Sequence, residues 1–242
     1  MRFGLRFELK EKVIPLDYRR CFSSFLKHCY EAFNKEWYNS MYQNKDPIKK
    51  PFTYSVYLGK AKFGYRDIEL EEKALTLNFS TFFYDYGINF YNCVLQAHNK
   101  PYPFGKDNEI TLKSFHLERE NNIYVDKVKV KTLSPLLARE HDKSSNMDKY
   151  YIFGEEGFER VLKENIKRNC EGFIIFSEGD VEKLAIEPVR VKSSKILHYN
   201  QKINGNIGTL SISGKPYLLD FLLKSGMGSR RSQGYGMLEV RG

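Results

Sequence analysis

The chain has 242 residues, 41% of them hydrophobic and 15% aromatic, and a formal net charge of +9. Its length fits one large unit or two compact units of roughly 100–130 residues, and its apolar content excludes a disordered chain or one dependent on disulfides. The charge is uneven: from Lys183 to Gly242 ten Lys/Arg face three acids, Glu187, Asp220 and Glu239, a local balance of +7 that favours a polyanionic partner over a neutral one.

Met1 to Lys10 alternates apolar and polar residues, with Phe3, Leu5, Phe7 and Leu9 on one face, which predicts a half-buried strand. Pro15 and Asp17 then open a helix, Asp17 as N-cap, with the stripe Phe22, Phe25, Leu26, Cys29, Phe33 and Trp37 at helical spacing. Strands are predicted at Phe52–Leu58, Ala74–Ser80 and Ile110–Leu117, and a helix from Tyr84 to His98. Residues 100–108 read as a loop. The second half repeats the order: a strand at Val128–Leu133, a helix from Glu155 to Lys167, strands near Lys183–Val191 and Asn206–Ile212, a short helix from Pro216 to Lys224, and a closing strand from Tyr235 to Arg241. Two β-α-β-β-α-β units in tandem predict an α+β protein of two ferredoxin-like (RRM-like) domains, residues 1–122 and 123–242.

The four cysteines, Cys21, Cys29, Cys93 and Cys170, show neither a CxxC pair nor zinc-ligand spacing and read as buried hydrophobes in a reducing compartment. No metal site and no cofactor are expected, because no acidic cluster or His/Cys set offers one. Met1 leads straight into a strand and no apolar run approaches roughly 18 residues, so the expectation is a cytoplasmic protein without a membrane partner.

The segment from Gly226 to Gly236 holds four glycines, Gly226, Gly228, Gly234 and Gly236, with Ser229, Arg230 and Arg231 among them. Glycine lets backbone N–H groups approach a ligand, and paired arginines suit phosphates, so the sequence predicts an anion cradle. A Walker loop needs Gly-Lys-Ser/Thr, which is absent. A dinucleotide fingerprint needs a sixth-position glycine where Arg231 stands, and both motifs run from strand to helix, whereas this loop runs from helix to strand. Upstream, Lys192, Lys195 and Lys202 are suited to tracking a phosphate backbone, with His198 beside them.

The pattern Gly226-x-Gly228-Ser229-Arg230, closing on Gly234-Tyr235-Gly236 after a short helix, resembles the signature of the RAMP superfamily. It is most similar to the CRISPR-associated repeat-processing endoribonucleases, the sixth Cas family. Further matching segments are the opening strand, Lys50 to Ser55, Val130 to Pro135, and the glycine-spaced run from Gly205 to Gly214. The resemblance implies binding of precursor CRISPR repeat RNA and metal-independent cleavage by the ribose 2′-OH, giving 2′,3′-cyclic phosphate and 5′-OH ends. It also implies partners beyond the RNA: an effector complex, or a second copy in a homodimer. A non-catalytic RNA-binding relative or effector subunit is the alternative.

Many members of that family carry a histidine a few residues before the segment matching Lys50 to Ser55. Here the corresponding stretch, residues 37–46, has none. Such chemistry needs a base, an acid and a cation. The candidates are His28, off the apolar stripe of the first helix, Tyr42 and Tyr38 in the stretch lacking histidine, and Lys50 for the phosphorane charge. Each also has a plain structural reading, as a surface histidine, packed tyrosines and a solvated lysine.

Overall fold

The computed structural model describes residues 1–44 and 48–241; residues 45–47, which include the end of the histidine-free stretch, and Gly242 lie outside the described residues. In chain order the first half comprises β1 (Arg2–Leu9), β2 (Val13–Pro15), α1 (Tyr18–Phe33), α2 (Lys35–Tyr42), β3 (Phe52–Tyr57), β4 (Ala61–Phe63), β5 (Asp67–Leu70), β6 (Ala74–Thr81), α3 (Tyr84–Ala97), β7 (Pro101–Pro103) and β8 (Glu109–Leu117). The second half comprises β9 (Lys127–Thr132), β10 (Ala138–Asp142), β11 (Met147–Tyr151), α4 (Phe158–Cys170), α5 (Glu178–Glu182), β12 (Ala185–His198), β13 (Gln201–Ser213), α6 (Pro216–Ser225), a 3-10 turn (Arg231–Gln233) and β14 (Leu238–Val240).

The sheets run β3-β6-β1-β8-β7 and β12-β13-β9-β14. Leaving out the edge strand β7, each is the antiparallel order expected when two β-α-β units interleave with helices on one face. The tandem ferredoxin-like architecture is present in both halves. Phe3, Leu5, Phe7 and Leu9 of β1 all turn inward, as their alternation predicts, onto Phe22 and Phe25 of α1 and Phe90 of α3. A second core joins Val130, Leu210, Ile212 and Leu238 to Val161, Leu162 and Ile166 of α4 and to Phe221 and Leu222 of α6.

Several elements differ from the sequence reading. The strands β12 and β13 form one hairpin of 14 and 13 residues, well beyond the predicted Lys183–Val191 and Asn206–Ile212. A register shift between Pro188 and Arg190 and the glycines Gly205 and Gly208 interrupt its alternation, which hid its length. The tip, Tyr199 and Asn200, has positive φ at both residues, as a two-residue hairpin turn of the primed type demands. Asp17 does stand at the N-cap of α1, but its side chain does not cap; its Oδ2 accepts from the backbone N–H of Tyr199 at 3.1 Å, pinning the hairpin tip to the first half. His141 lies in β10 opposite Asp148 of β11.

Candidate functional site

The four glycines of the C-terminal loop all have positive φ and are all buried. A Cβ on Gly234 would stand 2.6 Å from the Tyr54 ring, one on Gly226 would stand 2.8 Å from Thr53, and one on Gly236 would overlap the Met227 carbonyl oxygen. The backbone is committed as well: Ser229 N–H donates to the Leu137 carbonyl, Gly236 N–H to that of Pro135, and Met227 N–H to that of Gly236. Across the junction of the two halves, Thr53 Oγ1 donates to the Tyr235 carbonyl at 2.8 Å and Arg19 Nε to that of Gly234 at 3.2 Å. The close approach that requires glycine is therefore to the chain itself, to Thr53 and Tyr54 of the first half at Gly226 and Gly234 and to Leu137 and Met227 of the second half at Gly228 and Gly236. This corrects the expectation of a phosphate cradle at Gly226, Gly228, Gly234 and Gly236.

Arg231 is corrected too. It is 4% exposed, its guanidinium donates to the carbonyls of Ser225 and Gly226, and burial lowers its pKa to about 10. Arg230 is half-buried, donating to Asp148 Oδ2 at 2.7 Å and to Tyr150 Oη at 2.8 Å. Burial opposes the charge on Asp148, but hydrogen bonds from His141, Arg139 and Arg230 prevail and hold its carboxyl at about 2. Ser229 Oγ accepts from Arg139. His198, expected near RNA, is buried against Tyr235, Oη to Nδ1 3.1 Å, and burial lowers its pKa to about 4. Lys192, Lys195 and Lys202 do lie exposed along the hairpin.

A second constellation forms where α1, α2 and the entry to β3 meet. Lys50 Nζ sits 4.4 Å from the centroid of the Tyr42 ring, and Lys27 Nζ sits 5.2 Å from the same ring. Tyr38, one turn back on α2, stacks on Tyr42 at 5.2 Å. Burial, with a smaller contribution from Lys27, lowers the Lys50 pKa to about 8. Burial raises that of Tyr42, so its phenol stays protonated. Next to Lys50, Lys49 reaches into the second half to pair with Glu171 at 2.7 Å.

His28 does not join this group. One residue after Lys27, it is turned about 100° round the helix, and its ring packs 5.1 Å from that of Tyr102. There it lines a small cavity of 80 Å³ with Cys29, Cys93 and Ala97. Lys27 is the residue sequence reasoning missed; its signal was position, one turn from Ser23 and Tyr30 on the flank of α1 that faces β3.

A third feature is the open face of the second sheet. Cross-strand register places Arg190, Thr209, Lys131 and Glu239 in one row and Glu187, Ser211 and Lys129 in the next, with Lys127 beyond. Lys127, Lys129 and Lys131 alternate with the inward Val128 and Val130, so β9 carries a ladder of three cations on the face away from α4 and α6. Arg2 Nη2 donates to the Leu238 carbonyl at 2.5 Å, bringing the first sheet alongside.

The sequence profile described as CRISPR associated protein Cas6, C-terminal, matches residues 118–240. The chain belongs to the Cas6 family. No curated protein matches it in sequence. Among solved structures, a Cas6-related protein from Pyrococcus furiosus superposes with a TM-score of 0.84 at 16% identity, covering 100% of this chain and 98% of that one. A protein described as a RAMP protein binding different RNA substrates gives 0.83 at 15% identity, with 100% of both chains covered. A Cas6 product complex from Thermus thermophilus gives 0.74 at 15% identity, again over 100% of both. At such identities the likeness establishes the shared fold. In this Cas6 chain the Lys50–Tyr42 group precedes the matched region, and the lysine ladder lies within it.

Proposed function

We propose that this Cas6-family chain binds precursor CRISPR RNA and cuts it within the repeat without a metal ion. The 2′-OH attacks the adjacent phosphate, leaving a 2′,3′-cyclic phosphate and a 5′-OH. The observation that carries the proposal is the pair of lysines on one tyrosine ring, Lys50 at 4.4 Å and Lys27 at 5.2 Å. A lysine with a pKa near 8 is partly neutral at physiological pH and can take the 2′-OH proton. Lys27 then supplies a positive charge to the phosphorane and a proton to the departing 5′-oxygen, so the proton lost at one end is replaced at the other. Tyr42, whose phenol burial keeps protonated, and Tyr38 beside it orient the ribose or the leaving oxygen.

RNA binding in this proposal runs along the open sheet face, Lys127, Lys129, Lys131 and Arg190, and along the hairpin lysines Lys192, Lys195 and Lys202. Arg230 and Ser229 anchor the hairpin β10–β11 beside them through Arg139 and Asp148. Supporting the RNA reading, two structural neighbours are described as binding RNA substrates and as a product complex. Delivery of the cut RNA to a CRISPR effector complex extends the same proposal.

A second reading, a non-catalytic RNA-binding protein, is favoured by one observation: among the described residues no histidine joins the Lys50–Tyr42 group. The test is a repeat RNA incubated with the protein in EDTA, followed by analysis of product ends. Cyclic phosphate and 5′-OH ends are expected. Tight binding with intact RNA would establish the non-catalytic reading, and a strict metal requirement would overturn the mechanism.

A further inference from the structure

The strands β2, β4 and β5 form a separate three-stranded sheet, β2-β5-β4, outside the two ferredoxin-like sheets. Its inward residues, Ile14, Ile68 and Leu70, join the first core. The connection from β4 to β5 has the opposite character: Phe63 and Tyr65 are 66% and 84% exposed. Tyr199, at the tip of the β12–β13 hairpin, is a further exposed ring, at 44%. The two turns meet in space, since Lys202 Nζ lies 5.8 Å from the centroid of the Tyr65 ring. Beneath the hairpin tip, the Arg20 guanidinium lies 5.3 Å from the centroid of the Tyr199 ring.

Tyr199 is strained where it stands. Its φ of 48° is a left-handed conformation that suits Asn or Gly and disfavours a bulky side chain. Core packing does not account for it, because its ring lies at the surface, edge-on to His198 and beside Arg20. Strain of this kind, fixed here by the bond from the Tyr199 N–H to Asp17, is characteristic of binding sites. The charge around the two turns is positive: Arg66, Arg20 and Lys202 are exposed, with Asp67 as the acid of the β4–β5 turn.

We propose that Tyr65 and Tyr199 form a stacking site for unpaired bases of an RNA strand, whose phosphates are held by Lys202, Arg66 and Arg20. The proposal rests on the RNA-binding reading above and is independent of the cleavage step. Rings interleaved with cations match the alternation of bases and phosphates along a single strand. In a duplex each base face is covered by its neighbours, so an open ring finds no stacking partner there. An apolar protein segment fits less well, because covering the rings would bring the three cations out of water without a partner. Lys192 and Lys195 line the hairpin on the way to its tip, so a strand that tracks them arrives at these rings. Tyr65 belongs to the first half and Tyr199 to the second, so one bound strand would bridge both.

The test is binding of two labelled RNAs to the full chain: an unstructured strand of about 12 nucleotides and a blunt duplex of the same sequence. Tyr65→Ala and Tyr199→Asn should each weaken binding of the unstructured strand by about 5-fold or more and leave duplex affinity unchanged. Asn accepts a positive φ, so Tyr199→Asn preserves the turn, and Tyr65 is too exposed for its loss to unfold the chain. Tyr65→Phe, which keeps the ring, should bind as wild type. The salt slope should hold in Tyr65→Ala and fall by about 0.7 in Lys202→Ala. Wild-type affinity for the unstructured strand in both ring variants would overturn the proposal and assign the rings to a protein partner. Equal losses on strand and duplex would overturn it as well. A wild-type chain that binds neither RNA would overturn the RNA reading itself, and this site with it.

Discussion

Lys50 is partly buried and has Lys27 for a neighbour, and both conditions favour its neutral form. If that amine is the base, the single-turnover cleavage rate rises with pH and levels off above about 8, where the amine has lost its proton. Lys50→Ala should lower the rate by about 100-fold or more while leaving RNA affinity nearly unchanged, the signature of a group used in the transition state. His28→Ala should leave the rate at wild type, since its ring faces Tyr102. Arg231 gives a contrasting result. Removing a buried guanidinium that holds two carbonyls should cost about 2–3 kcal/mol of stability, read by denaturant unfolding. The salt dependence of RNA binding should not change. A flattened salt slope in Arg231→Ala would return that residue to the RNA surface. His198 adds a pH effect on stability. Its folded pKa of about 4 lies below the unfolded value, so its contribution is full above about 6.5 and is lost as pH falls toward 4. Unfolding midpoints should fall across that window in the wild type and change less in His198→Gln.

The long hairpin and β9 are where basic residues acquire a common direction. Along β9 the lysines recur every second residue in a central strand, so all three point to one face, a signal present in the sequence as Lys127, Lys129 and Lys131 but masked by the inward valines between them. Replacing these three with Ala should reduce the salt slope of RNA binding by up to about 2–3, since each phosphate contact contributes about 0.7–0.9. An unchanged slope would remove the ladder from the RNA path. The same hairpin shows why boundaries are harder to read than elements. Alternation in β1 and the helical stripe of α1 were legible, because each buries one clean face. The strands β12 and β13 were not legible at full length, because Pro188, Ser193, Ser194, Gly205 and Gly208 resemble breaks. Register, not composition, keeps these positions in the ladder. The three-residue strands β2, β4 and β7 are too short to show a period at all.

Across the whole molecule, the C-terminal loop changes role. Its glycines and Arg230 were legible as a family signature, yet the glycines are packed as a junction. Gly226 and Gly234 admit Thr53 and Tyr54 of the first half, and Arg19 closes over the Gly234 carbonyl. Which face of the loop meets a ligand and which meets the protein depends on contacts made 180 residues away, beyond any local pattern. The junction places the Lys50 group at the entry to β3, one strand from the loop, so the loop supports the proposed cutting site without lining it. Replacing Gly234 with Ala should destabilise the protein and lower cleavage through loss of the folded junction. Whether the 2′-OH is the nucleophile is read most directly from two repeat RNAs in EDTA, identical except for a single 2′-deoxy at the cleaved nucleotide, under single-turnover conditions. Both should bind equally, and only the ribose form should be cut. Cleavage of the deoxy form at a comparable rate would contradict it.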